Sequence, residues 1–101
     1  MPPRIEIPRD AIADFCVQND IRWLAMFGSV LRDDFGPGSD VDVLVEFDPG
    51  AAVGLLDMAR MERELAALLG HPVDLRTPQD LSRYFRQDVL ASAEVQYERA
   101  G

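Results

Sequence analysis

Apolar and polar positions change their spacing several times along the 101 residues, and each change predicts an element. Pro8 stands where a helix can begin, and Ile12, Phe15 and Cys16 follow at offsets of three and four, one stripe of a first helix of about ten residues. Asn19-Asp20 closes it. Ile21 to Phe27 is then an apolar run broken only by Arg22, the pattern of a buried strand. Gly28 to Ser39 holds three glycines, a proline and small polar residues, which predicts a short helical turn followed by a loop.

From Asp40 to Phe47 the pattern alternates, with Val41, Val43, Val45 and Phe47 on one face of a strand and Asp40, Asp42, Leu44 and Glu46 on the other. Asp48-Pro49-Gly50 turns the chain. Leu55, Met58, Met61, Leu65 and Leu68 then repeat at helical spacing as the core stripe of a second helix, which Gly70-His71-Pro72 ends. Pro72 to Arg76 predicts a third strand with Asp74 between Val73 and Leu75. Thr77-Pro78-Gln79-Asp80 opens a last helix lined on one side by Leu81, Tyr84, Phe85, Val89 and Leu90, and Glu94 to Tyr97 predicts a brief closing strand. This order predicts an α/β (α+β) fold with a small mixed sheet packed against helices. The length predicts a single domain over residues 1–101.

Charge narrows the partners. The formal net charge is −8, from 18 acids against 10 bases, and every base is arginine. A field of that sign repels polyphosphate backbones, so no direct binding of nucleic acid is expected. Without lysine there is neither a Walker-type phosphate loop nor Schiff-base chemistry. No apolar stretch approaches the roughly 18 residues that span a bilayer, and Met1-Pro2-Pro3-Arg4 lacks the apolar segment of a signal peptide. A cytoplasmic protein without a membrane partner is therefore expected. Cys16 is the only cysteine and lies in an apolar stripe, which reads as a packing thiol, and His71 between Gly70 and Pro72 reads as a turn residue.

The chemistry concentrates in Phe27-Gly28-Ser29 and, ten residues on, Asp40-Val41-Asp42 at the head of a strand. The strand period of two puts both carboxylates on one face, close enough to share a hard divalent ion. Gly28 directly follows a strand, where a missing side chain lets a phosphate approach backbone amides, and Ser29 adds a hydroxyl at the start of a helical turn. Asp74 sits between two apolar residues, where an acid is costly unless compensated, and a metal would compensate it. If its strand runs beside Asp40 to Phe47, three acids converge in an arrangement that supports two metal ions and an in-line displacement. Arg32 can neutralise triphosphate charge, or equally pair with Asp33 or Asp34.

Phe27-Gly28-Ser29, Arg32, Gly36, Ser39-Asp40-Val41-Asp42 and Val73-Asp74-Leu75-Arg76-Thr77-Pro78 together resemble the signature of the nucleotidyltransferase superfamily that includes DNA polymerase beta. Size and element order resemble the minimal nucleotidyltransferases, many of them antitoxins paired with HEPN-domain ribonuclease toxins. The resemblance implies that Gly28 and Ser29, with Arg32 and Ser39 beside them, hold the nucleotide. It implies too that Asp40, Asp42 and Asp74 are the catalytic metal ligands, the third helping to activate the incoming hydroxyl. It implies Mg²⁺, two ions, ATP as substrate, and transfer of AMP to a tyrosine of a HEPN toxin with which the chain forms a hetero-oligomer. One departure is that Asp33-Asp34 follows Arg32 where relatives often have glycine.

Two functions compete: an enzyme that moves AMP onto a protein hydroxyl, and a non-catalytic antitoxin that masks its partner by binding. Three intact carboxylates favour the enzyme, because a pure binder has no physical need to concentrate them. A drug-modifying nucleotidyltransferase would need a second domain to shape its acceptor site, and the residues after Asp74 are too few for one.

Overall fold

The computed structural model describes residues 5–32, 35–36 and 38–99. Asp33 and Asp34, the departure noted beside Arg32, lie outside them. The elements are α1 (Arg9–Gln18), β1 (Ile21–Phe27), a 3₁₀ turn (Gly28–Leu31), β2 (Val41–Phe47), α2 (Leu55–Leu69), β3 (Val73–Arg76), a second 3₁₀ turn (Pro78–Asp80), α3 (Arg86–Ser92) and β4 (Glu94–Glu98). The four strands form one mixed sheet in the order β3-β2-β1-β4, in which β2 runs parallel to β3 and β1 runs antiparallel to both β2 and β4.

Alternation decides what each face carries. Val41, Val43 and Val45 of β2, Leu24 and Met26 of β1 and Leu75 of β3 pack with Ile12, Phe15 and Cys16 of α1 and Met61, Leu65 and Leu69 of α2 in one buried cluster. Two long helices thus cover one face of the sheet, and the acids stand on the other. That second face is not simply exposed. Leu44, expected beside the acids, is fully buried, as is its cross-strand neighbour Ala25. Around Asp42 and Asp74 the face stays open, with both side chains half-buried, and it opens again at Glu46 at the far end of β2.

Helix limits follow local chemistry. Gly70 adopts φ +71°, a left-handed conformation that costs other residues a steric penalty, and its N–H caps α2 on the carbonyl of Ala66 at 2.8 Å. At the other end of α2, the N–H of Gly54 donates to the carboxylate of Asp57 at 2.9 Å. Glu62 of α2 accepts the N–H of Leu75 at 2.8 Å, satisfying a donor of edge strand β3.

Two expected stripes are corrected. In α2 the buried positions are Met61, Leu65 and Leu69, whereas Leu55 and Leu56 are 90% and 87% exposed and Leu68 is 37% exposed. Leu55 is the first residue of the helix, and helical spacing alone does not bury it. The last helix starts at Arg86, later than expected, because Ser82 makes a turn of its own: its hydroxyl accepts the N–H of Tyr84 and its carbonyl the N–H groups of Phe85 and Arg86. The stripe is thereby split between two elements. Leu81 is buried, but Tyr84 and Phe85 are 80% and 56% exposed.

Cys16 is fully buried among these core side chains, and burial pushes its thiol up to about 12, so it stays neutral and acts as packing. No described helix is long and apolar enough to cross a membrane.

Candidate active site

The site is assembled where β1 ends and β2 and β3 begin. Phe27 pairs with Asp42 across the antiparallel ladder, and Asp42 pairs with Asp74 across the parallel one. Register therefore aligns the end of β1, the second acid and the third acid in one row. Asp40 precedes β2 by one residue, so the strand starts at Val41 and not at Asp40 as the alternation predicted. Asp40 is exposed, and Asp42 and Asp74 are half-buried.

Gly28 follows β1 at φ +74° and opens the 3₁₀ turn. A Cβ there would overlap Oδ2 of Asp42 and stand 3.2 Å from its Cγ. The absent side chain is thus the space that the Asp42 carboxylate occupies, a stronger constraint than the phosphate approach argued from sequence. Ser29 meets both acids. Its backbone N–H hydrogen-bonds the Asp42 carboxylate, and its Oγ donates to the carbonyl of Asp40 at 3.4 Å. Arg32 closes the turn, its N–H donating to the Ser29 carbonyl at 2.9 Å. Ser39 accepts the N–H of Gly36 on its hydroxyl at 3.1 Å while its own N–H donates back to the Gly36 carbonyl, so it shapes the loop that delivers Asp40.

The Asp42 carboxyl is raised above its ordinary value, first by burial, then by the charge of Asp74 and, less, of Asp40. Arg76 and the Ser29 N–H oppose the rise. An acid whose ionisation is opposed by burial first and by neighbouring acids second stands where a cation is favoured. Asp74 is not idle either. Its Oδ2 takes Nε of Arg76 at 3.1 Å and Nη2 at 3.0 Å. That hydrogen bond and the charge of Asp74 hold the guanidinium more firmly protonated.

The donor set fits a hard divalent ion, because it offers carboxylate oxygens only. Among the described residues no three acid, histidine or cysteine side chains already stand as a metal cluster, and Asp74 is turned to Arg76. Arg76 was not expected in the site, although its spacing of two from Asp74 places both on one face of β3.

These features have relatives. A model of the nucleotidyltransferase domain family matches residues 9–96. The chain belongs to that family. This nucleotidyltransferase is 33% identical over 88 residues to a protein of Methanocaldococcus jannaschii provisionally named a protein adenylyltransferase, covering 87% of this chain and 91% of the relative. It is 37% identical over 70 residues to the protein adenylyltransferase MntA of Thermococcus cleftensis, covering 69% of each. A solved structure provisionally assigned as a minimal nucleotidyltransferase superposes with a TM-score of 0.67 at 37% identity, over 84% of this chain and 85% of that one. A toxin-antitoxin structure with AMP-PNP superposes with a TM-score of 0.72 over 91% of this chain and 74% of that one; at 19% identity it shows the shared fold.

Proposed function

We propose that this nucleotidyltransferase is a Mg²⁺-dependent protein adenylyltransferase that moves AMP from ATP to a tyrosine hydroxyl of a partner HEPN ribonuclease toxin. The observation that carries this reading is the row in which the Gly28-Ser29 turn, Asp42 and Asp74 are neighbours by strand register. Two relatives bear the name protein adenylyltransferase, and one structural neighbour is a tri-AMPylated Shewanella oneidensis HEPN toxin in complex with an MNT antitoxin.

In this reading the turn amides and the Ser29 hydroxyl hold phosphate oxygens, with Arg32 as a further cation beside them. Asp40, Asp42 and Asp74 would hold Mg²⁺, two ions, which supplies the positive charge that the triphosphate and the acids need to share one site. Asp74 takes the proton of the incoming tyrosine hydroxyl. The tyrosine oxygen bonds to the α-phosphorus, the bond from that phosphorus to the bridging oxygen breaks, and pyrophosphate leaves. Charge on the protein suits the partner: a chain of net charge −8 is complementary to the cationic surface of a ribonuclease. An AMP group on the toxin then adds a bulky anion where RNA phosphates approach.

Mass spectrometry of the toxin after co-expression tests the reading. An adduct of AMP mass is expected with the wild type and absent with the Asp40→Asn, Asp42→Asn double variant. An unmodified but still inhibited toxin with both proteins would replace the enzyme by an antitoxin that acts through binding alone.

A further inference from the structure

Asp74 stands on the shortest strand of the sheet. β3 has four residues and one neighbouring strand, β2, so the backbone groups on its outer side have no ladder to hold them. Leu75 is where that edge is fastened. Its side chain is 6% exposed and packs in the cluster that holds Met61 and Leu65 of α2, and its N–H donates to Oε2 of Glu62 on the same helix at 2.8 Å. The planar peptide that carries this N–H is the one that leaves Asp74. Fixing its plane restricts ψ of Asp74, and with it the direction in which the carboxylate leaves the backbone.

The helix is a firm base for the contact, since Asp57 takes the Gly54 N–H at one end, Gly70 closes the other, and Met61, next to Glu62, is buried. On the inner side of β3, Asp74 is in register with Asp42 and Leu75 with Val43. We propose that Glu62 is a positioning residue for Asp74: by holding the peptide between Asp74 and Leu75 it keeps the third acid beside Asp42, where both carboxylates can serve one divalent ion. This rests on the reading of Asp74 as a metal ligand. Glu62 acts from the helix-covered side of the sheet on an acid that stands on the other, so the reach of its acceptor oxygen matters more than its charge.

Three variants separate reach from charge. Glu62→Gln keeps an acceptor at the same reach and loses the charge, Glu62→Asp keeps the charge and is one methylene shorter, and Glu62→Ala loses both. In the metal-free full chain, amide exchange at Leu75 should be about tenfold faster with Asp and with Ala, and close to wild type with Gln. Calorimetry with Mn²⁺ and no nucleotide should group the variants in the same way, with Asp and Ala about tenfold weaker and Gln within about threefold of wild type. In a transfer assay the loss should fall on kcat, about ten- to hundredfold, and leave KM for ATP little changed, because the turn that takes the phosphates follows β1. Added to Asp74→Asn, Glu62→Ala should weaken Mn²⁺ no further. A Gln variant that groups with Ala makes Glu62 a charge near the site and overturns the positioning role. So does a lower melting temperature without a change in Mn²⁺ affinity, or a full further loss in the Asp74→Asn background. Wild-type Mn²⁺ binding by Asp74→Asn alone, with the Leu75 exchange grouping intact, instead removes Asp74 as a ligand and with it the reading on which the proposal rests.

Discussion

Asp42 occupies the space that a side chain on Gly28 would need. At φ +74° any side chain at position 28 is strained by the backbone, and its Cβ would also force the Asp42 carboxylate to move. Gly28→Ala should incur about 1–2 kcal/mol of left-handed backbone strain and push the Asp42 carboxylate out of its bond to the Ser29 N–H. The expected result is a melting temperature lower by roughly 4–8 °C or more, and a loss of AMP transfer of about a hundredfold or greater. Thermal melts and a transfer assay on one preparation check both. Wild-type transfer by this variant would separate the turn from the chemistry.

Asp42→Asn is expected to move stability and activity in opposite directions. The folded protein raises the Asp42 carboxyl above its unfolded value, so the native state holds this proton more tightly than the unfolded chain does. The stability linked to Asp42 is present below its unfolded value and is lost as pH rises through the folded one. At neutral pH the ionised acid is therefore a burden on the metal-free fold. The amide removes that burden, so metal-free Asp42→Asn should melt higher than wild type at pH 7, with the difference shrinking at acidic pH. Transfer should vanish, because the charge needed to hold a divalent ion is gone. A variant that melts lower than wild type at pH 7 without metal would contradict the assigned cause of the shift.

Leu65 and Leu55 lie on the same helix at helical spacing, yet only Leu65 is buried; Leu55 is 90% exposed. Leu65→Ala should cost about 2–5 kcal/mol, a transfer loss plus a cavity, whereas Leu55→Ala should stay within about 0.5 kcal/mol. Urea denaturation of the two variants with an unchanged slope checks this. Equal losses would mean that the start of α2 packs against something in solution.

How far the residues foretold this depends on which interactions set each feature. β1 and β2 were legible because the Ile21 to Phe27 run and the alternating valines express burial directly in residue type. Asp42 and Asp74 were legible as a pair for the same reason: their strand positions fix the face, and parallel register needed only β3 beside β2. The start of α3 was not, because a single hydroxyl, that of Ser82, redirects the backbone after Leu81 without altering the apolar spacing. Nor was the burial of Leu44, which alternation places on the same face as the acids: no local pattern encodes what covers that face.

Arg76 gives the last test. Its guanidinium grips the Asp74 carboxylate at 3.0 Å, although both side chains are more than a third exposed at 47% and 37%. An ion pair this accessible contributes little to folding, about 0–1 kcal/mol, so Arg76→Ala should lower the melting temperature only slightly. The consequence for the acids is larger. In the absence of a divalent ion Arg76 is the cation that Asp74 holds, and it also lowers the Asp42 carboxyl against the push of its acidic neighbours. An ion held by Asp74 would share the carboxylate with this guanidinium and bind against its charge. Removing it frees a ligand and a repulsion together, so Mn²⁺ or Mg²⁺ alone should bind Arg76→Ala about three- to tenfold more tightly, most clearly at low ionic strength. Titration calorimetry with the metal and no nucleotide reads this without reference to activity. Weaker metal binding by the variant would show the opposite relation, in which Arg76 holds Asp74 in the position that the ion requires.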